Sequence, residues 1–178
     1  MKNGLLISTA MAIFALSSAN AWDPGKLDEA KANAQVVTDR LLEADSGMQR
    51  FFDAAAGYVV LPNVGKGGIG IGGARGKGLL FVDGEAIAEV TMTQLSIGFQ
   101  WGGQAYSEFI FFEDEKTLNE FKAGNFEFGA QASAVAIKAG ISTDAAFESG
   151  MAVFTQVKGG LMYEASIGGQ KFKVELLK

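Results

Sequence analysis

The stretch that organises this chain is Gly57-Tyr-Val-Val-Leu-Pro62, Asn63-Val-Gly-Lys66, Gly67-Gly-Ile-Gly-Ile-Gly-Gly73 and Ala74-Arg75-Gly76-Lys77-Gly78. Nine of the chain's 24 glycines fall within it. The apolar run before Pro62 predicts a buried strand that stops at this proline, because proline donates no hydrogen bond to a neighbouring strand. Beyond it, isoleucines alternate with glycines. This alternation predicts a strand with one face of bare backbone, lying close against another part of the fold or a ligand.

Neither of two common nucleotide-binding loops fits this stretch. Gly68 to Gly73 satisfies G-x-G-x-x-G, but that pattern requires a helix directly after it. An apolar β-type run, Leu79 to Val82, follows instead, so no helix N-terminus is present to hold a pyrophosphate. A Walker A loop is excluded as well, because Gly78 occupies the position that needs a Ser or Thr.

The first 21 residues are typical of a cleaved secretory signal peptide. A short positive segment, an apolar segment from Gly4 to Leu16 and the small-residue site Ala19-Asn-Ala21 follow one another. The chain contains no cysteine, so it has neither disulfides nor a lipid anchor on an N-terminal cysteine. We therefore expect a periplasmic or secreted protein in which residues 22–178 form a single domain.

The composition excludes several classes of function. Without histidine or cysteine, the chain has no Ser-His or Cys-His nucleophile and no usual zinc ligands. A formal net charge of −5 argues against nucleic-acid binding. The densest acidic cluster, Glu113-Asp-Glu115, is typical of the solvated start of a helix. We expect no catalytic residue, no metal and no cofactor.

The periodicity predicts helices first and strands afterwards. Pro24 begins an amphipathic helix that includes Leu27 to Leu42, and Ser46 to Gln49 is a capping box for a second helix ending at Gly57. A short helix runs between Asp114 and Gly124. Strands are predicted at 78–82, 86–94, 106–112, 126–136, 151–157, 161–167 and 172–176, the last with Phe172, Val174 and Leu176 inside.

The predicted fold class is α+β and predominantly antiparallel β. We expect a strongly curved or barrel-like sheet with an N-terminal helical pair and one inserted short helix. An outer-membrane barrel would share the export signal and the glycine content, but the amphipathic helices and the varied strand patterns argue against it.

Several motifs together resemble the SYLF domain family. They are Gly57-Tyr-Val-Val-Leu-Pro62, the run from Lys66 to Gly78, Ser96-Ile-Gly-Phe-Gln-Trp-Gly-Gly-Gln104, Phe109-Ile-Phe-Phe112 and Leu118 to Phe121. The likeness extends from about Leu27 to Leu177. SYLF domains are lipid-binding modules of eukaryotic endocytic adaptors, where they are linked to actin, and they occur in exported bacterial proteins.

The resemblance implies a non-catalytic module that binds anionic phospholipid headgroups or a membrane surface of the bacterial envelope. Carried over by position, Lys66, Arg75 and Lys77 are the expected headgroup contacts, and Leu27 to Leu42 is the membrane-facing helix. This helix departs from the family's basic segment, because its charges are mixed. An alternative is a structural envelope domain that binds proteins through the aromatic strand Tyr106 to Phe112, and a third is a hydrolase that uses carboxylates alone.

Overall fold

A computed structural model of the chain describes residues 24–69, 71–97, 104–124, 126–129, 132–158 and 164–177. Four helices lie in these ranges: α1 (Pro24–Ala44), α2 (Gln49–Ala54), α3 (Glu115–Lys122) and α4 (Ile141–Asp144). A single 3-10 turn, Ser46–Met48, connects α1 to α2. The N-terminal helical pair and the inserted short helix are therefore both present.

Nine described strands form one sheet. They are β1 (Gly57–Ile69), β2 (Ile71–Val82), β3 (Glu85–Ile97), β4 (Gln104–Phe112), β5 (Phe126–Glu127), β6 (Ser133–Ala136), β7 (Met151–Val157), β8 (Glu164–Ser166) and β9 (Gln170–Leu176). Their order is β5-β9-β3-β2-β1-β4-β7-β6-β8. All the described pairings are antiparallel except β6 with β7, so the predicted α+β class with a mainly antiparallel sheet is confirmed.

The sheet curves so strongly that its two ends meet. The backbone N–H of Phe128 donates to the carbonyl of Gln170, and that of Ile167 donates to the carbonyl of Ala132. These bonds continue the ladder between the β5–β6 segment and the β8–β9 segment. Since β5 and β6 belong to one segment and β8 and β9 to the other, this ladder connects the β3 side of the sheet to the β7 side. The sheet therefore encloses an interior like a barrel wall.

Two apolar clusters lie on the two faces of this wall. The inner cluster draws residues from strands all around the sheet, including Val59, Leu80, Val90 and Ile110. Helix α3 adds Leu118 and Phe121 to it, and these side chains cover one end of the interior.

The outer cluster is largely aromatic and lies under the N-terminal helices. Phe51 of α2 packs against Phe111 and Phe154 of the sheet, with ring centroids 5.7 and 4.8 Å away. Helix α1 contributes Ala34, Val37 and Leu41, which sit four or three positions apart and so share one face of the helix. This packing fixes α1 across the outer face of β1 and β2.

Local signals predicted the α3 region correctly. Asp114 accepts a hydrogen bond from the Thr117 N–H at 2.8 Å and so caps α3. Gly124 follows the helix with a φ of 78°. The predicted Asp83-Gly84 turn also has positive φ at both residues, as a two-residue hairpin turn of type I′ requires.

Other predictions were wrong. β1 does not stop at Pro62, because its register shifts there and the strand resumes at Asn63; the missing N–H of Pro62 falls within this irregularity. The cap of the 3-10 turn is Asp45, not Ser46. The predicted 126–136 strand is two short strands, and a short helix, α4, lies where a plain connection was expected. Leu176 is 64% exposed rather than inside.

Gly70 of the glycine row lies outside the described residues, as does the segment 98–103 of the Ser96 to Gln104 motif. None of the helices in the described part of the chain has the length and apolar character needed to cross a bilayer.

Candidate functional site: a basic cleft beside helix α1

A cleft of ≈ 640 Å³ lies between α1 and the outer face of β1, β2 and β3. Helix α1 supplies one wall, and the register irregularity around Pro62 and Asn63 lies on the opposite side. Ser107 holds this irregular backbone by donating from its hydroxyl to the Pro62 carbonyl at 2.9 Å. The volume is in the range of small-molecule sites.

The charged residues of the cleft are mainly basic. Its lining contains the four cations Lys26, Arg40, Lys77 and Lys158, but Glu89 is its single carboxylate. Among the described residues, Arg40, Lys77 and Lys158 form no ion pair. Cations on three separate elements thus converge on one concavity with little internal neutralisation, which is the electrostatic character of an anion site.

In the folded protein, the charged residues of α1 that line the cleft are basic, although the helix carries charges of both signs. Lys26 and Arg40 face the cleft together with Ala30 and Val36, whereas the acidic residues of α1 do not line it. Positions four, seven, ten or eleven apart share a helix face, so a helix of mixed overall charge can present a basic face. Val36 is 49% exposed and gives this wall an apolar component.

The basic surface continues beyond the cleft on the same face of the sheet. Arg75 and Lys77 alternate along β2 and are both exposed. Their register neighbours lead across β3 to Lys171 and Lys173 of β9. The two β9 lysines have acidic partners, since Lys171 lies 3.4 Å from Glu127 and Lys173 lies 2.9 Å from Glu175.

The three basic residues predicted as headgroup contacts, Lys66, Arg75 and Lys77, do not all lie on the same face of the sheet. Arg75 and Lys77 lie on the outer face, and Lys77 lines the cleft. Lys66 is paired in register with Ala74, which belongs to the inner cluster, so Lys66 lies on the opposite face of the sheet and is half-buried. Sequence reasoning missed Lys26, Arg40 and Lys158, which are far from this stretch in the chain and carry no motif.

The predicted alternative surface, the aromatic strand, is not available for docking. Tyr106, Phe109, Phe111 and Phe112 are at most 1% exposed. The side chains of β4 alternate between the inner and outer clusters, so both faces of this strand are covered.

Comparison with known proteins finds a family model that matches part of the chain. Residues 93–175 match the family model Ysc84, described as Las17-binding protein actin regulator. Over this segment, the chain resembles the SYLF domain family. It is also 25% identical over 159 residues to Beta cell expansion factor A of Aeromonas veronii, a match that covers 86% of this chain. The chain spans 60% of the length of that curated relative.

The SYLF match confirms the resemblance seen in the sequence motifs and indicates a binding domain. The matched segment begins within β3, so it includes β4 and all that follows but not the glycine stretch. Lys158 lies inside the matched segment, whereas the other three cations of the cleft lie before it. In the described part of the chain, no cluster of three or more acidic, histidine or cysteine side chains is arranged to hold a metal ion.

Proposed function

We propose that this protein is a non-catalytic binding module of the bacterial envelope that binds anionic phospholipid headgroups through the cleft beside α1. The observation that carries the proposal is the convergence of Lys26, Arg40, Lys77 and Lys158 on a concavity with one carboxylate. Lysine and arginine are the usual partners of phosphate oxygens in proteins.

The lining of the cleft suits a phospholipid better than a free anion. Val36 and Ala30 stand on the same wall as the cations of α1, so apolar and basic groups are side by side. A phosphodiester would contact Lys77 and Lys158, and the adjoining glycerol and acyl carbons would contact Val36. Arg75 lies two positions from Lys77 on the same face, about 7 Å along the strand, and would add attraction to a charged surface.

The envelope location is part of the proposal and rests on the export signal in residues 1–21. A location in the bacterial envelope would place the module next to bilayers that contain anionic lipids. The family description refers to Las17 and actin, and a protein ligand in place of a lipid is the alternative that the experiment separates.

The test is co-sedimentation of the protein with vesicles of phosphatidylcholine alone or with added phosphatidylglycerol, at about 0.1 and 1 M salt. We expect binding only to the anionic vesicles and a loss of binding at high salt. Each lysine near an anionic surface contributes about 1 kcal/mol, so replacing Lys77 and Lys158 by Glu should weaken binding by at least about 30-fold.

The matched control is Lys116→Glu with Lys138→Glu, which makes the same charge change at two exposed positions outside the cleft. Both double variants should unfold at nearly the wild-type temperature, because exposed charges contribute little to stability. Equal loss of binding in both variants would remove the cleft as the site. No binding of the wild type to anionic vesicles would refute lipid binding itself and favour a protein ligand.

A further inference from the structure

A carboxyl group lies fully buried inside the curved sheet. Glu108 of β4 is 0% exposed and is paired in register with Leu61 of β1 and Thr155 of β7. It alternates with Tyr106 and Ile110, which both belong to the inner cluster. Strand alternation therefore directs the Glu108 side chain into the interior, together with that of Thr155 directly opposite.

The polar groups around Glu108 contain more acceptors than donors. Gln170 Nε2 donates to Glu108 Oε2 at 3.0 Å. Glu108 Oε1, Gln170 Oε1 and Thr155 Oγ1 are buried and have no hydrogen-bond partner among the described residues. The Gln170 amide oxygen can only accept, whereas the Thr155 hydroxyl carries one O–H donor of its own. An ionised Glu108 would only accept, but a neutral carboxylic acid supplies an O–H donor to this group of oxygens.

Among the described residues, no cation forms an ion pair with Glu108. Its register partners Leu61 of β1 and Thr155 of β7 are neutral, as are the inner-face residues Gln94 of β3 and Phe172 of β9. Tyr106 is a neutral phenol next to Glu108 on the same strand, and burial together with the neighbouring Glu108 raises its pKa. Lys66 shares the inner face but pairs with Gln104, four positions along β4 from Glu108.

We propose that the cluster of Glu108, Gln170 and Thr155 inside the sheet is a proton-binding site, at which the folded protein takes up one proton that the unfolded chain releases. An isolated ionised carboxylate in an apolar interior is so unfavourable that the group is neutralised instead. Burial accordingly raises the pKa of Glu108 from 4.5 to about 7, against a smaller opposing effect of the Gln170 hydrogen bond.

The consequence is a contribution of Glu108 to stability that is present in acid and lost in alkali. Because the folded pKa is the higher one, the stabilising contribution is complete below the unfolded pKa of 4.5 and is lost as the pH rises through about 7. The stability of the closed sheet, which includes β4, β7 and β9, thus depends on the pH of the surroundings.

The test counts protons released when the full chain is unfolded by denaturant in weakly buffered solution at about pH 6. The wild type should release close to one proton more than Glu108→Gln. The control, Glu120→Gln, changes an exposed carboxyl of α3 in the same way and should release as many protons as the wild type.

A second measurement keeps the proposal testable if Glu108→Gln fails to fold. Infrared spectra of the folded wild type at the same pH should show the carbonyl stretch of a protonated carboxylic acid, which disappears on unfolding. A wild type without this band, or one that releases no more protons than a folded Glu108→Gln variant, would overturn the proposal.

Discussion

Replacing Gly78 by Ala tests how closely β1 and β2 approach one another at the register irregularity. Gly78 lies in the middle of β2. A Cβ atom added there would lie 1.9 Å from the Val60 carbonyl oxygen and 2.8 Å from the Leu61 Cα. Both are main-chain atoms of a central strand, so no side-chain rotation relieves the contact.

The size of the effect follows from this geometry. Real Cβ atoms essentially never approach other heavy atoms closer than 3.0 Å, so the strands must separate by about 1 Å. Overpacking in a dense interior costs about 1 to 3 kcal/mol, and the lower backbone entropy of the unfolded chain with Ala in place of Gly offsets only about 0.5 to 1 kcal/mol. Because backbone must move here, we expect a net loss of about 2 to 3 kcal/mol, or about 4 to 12 °C in melting temperature for a chain of this size.

The assay is thermal and urea unfolding followed by circular dichroism, with Gly65→Ala as the matched control. Gly65 lies in the same hairpin and is exposed, and an added Cβ there meets no atom within 4 Å. This variant should stay within about 0.5 kcal/mol of the wild type. If Gly78→Ala melted within a degree or so of Gly65→Ala, the close approach at Val60 would be refuted.

Two further predictions concern the connection between α1 and α2 and the predicted cleavage after Ala21. Asp45 accepts from the N–H groups of Ser142 and Gly47 at 2.8 and 3.0 Å, and the Ser142 bond is the main cause that lowers its pKa. Asp45→Ala should lower the melting temperature at neutral pH, and the difference should shrink as the pH falls below the ordinary value of 3.8 and through the lowered pKa of folded Asp45; a difference that does not change with pH would contradict this. Mass spectrometry of the chain exported by a Gram-negative host should find Trp22 as the first residue, whereas an intact Met1 in the periplasm would disprove cleavage after Ala21.

The sequence by itself was sufficient wherever the cause of a structure is local. Asp114 caps α3 and Gly124 ends it because capping bonds and positive φ depend on residues within one turn. The Asp83-Gly84 turn and the run of paired strands that it joins have the same short-range origin. The SYLF motifs were also visible without coordinates, because they are ordered along the chain.

The prediction from sequence was wrong where β1 pairs irregularly with its neighbour. The register shift at Pro62 lets β1 continue, and it also decides which face of the sheet Lys66 occupies. A one-residue change of register moves every later side chain to the other face, so alternation along β1 alone could not show that Lys66 faces away from Arg75 and Lys77.

Only the tertiary structure decided the two sites. Lys26, Lys77 and Lys158 come from three separate parts of the chain and line one cleft because α1 packs across the outer face of the sheet. Glu108 is a lone acid within an apolar strand, and its proton-binding character depends on β7 and β9 closing over it. Desolvation and charge convergence arise from distances in space, whereas sequence patterns record only spacing along the chain.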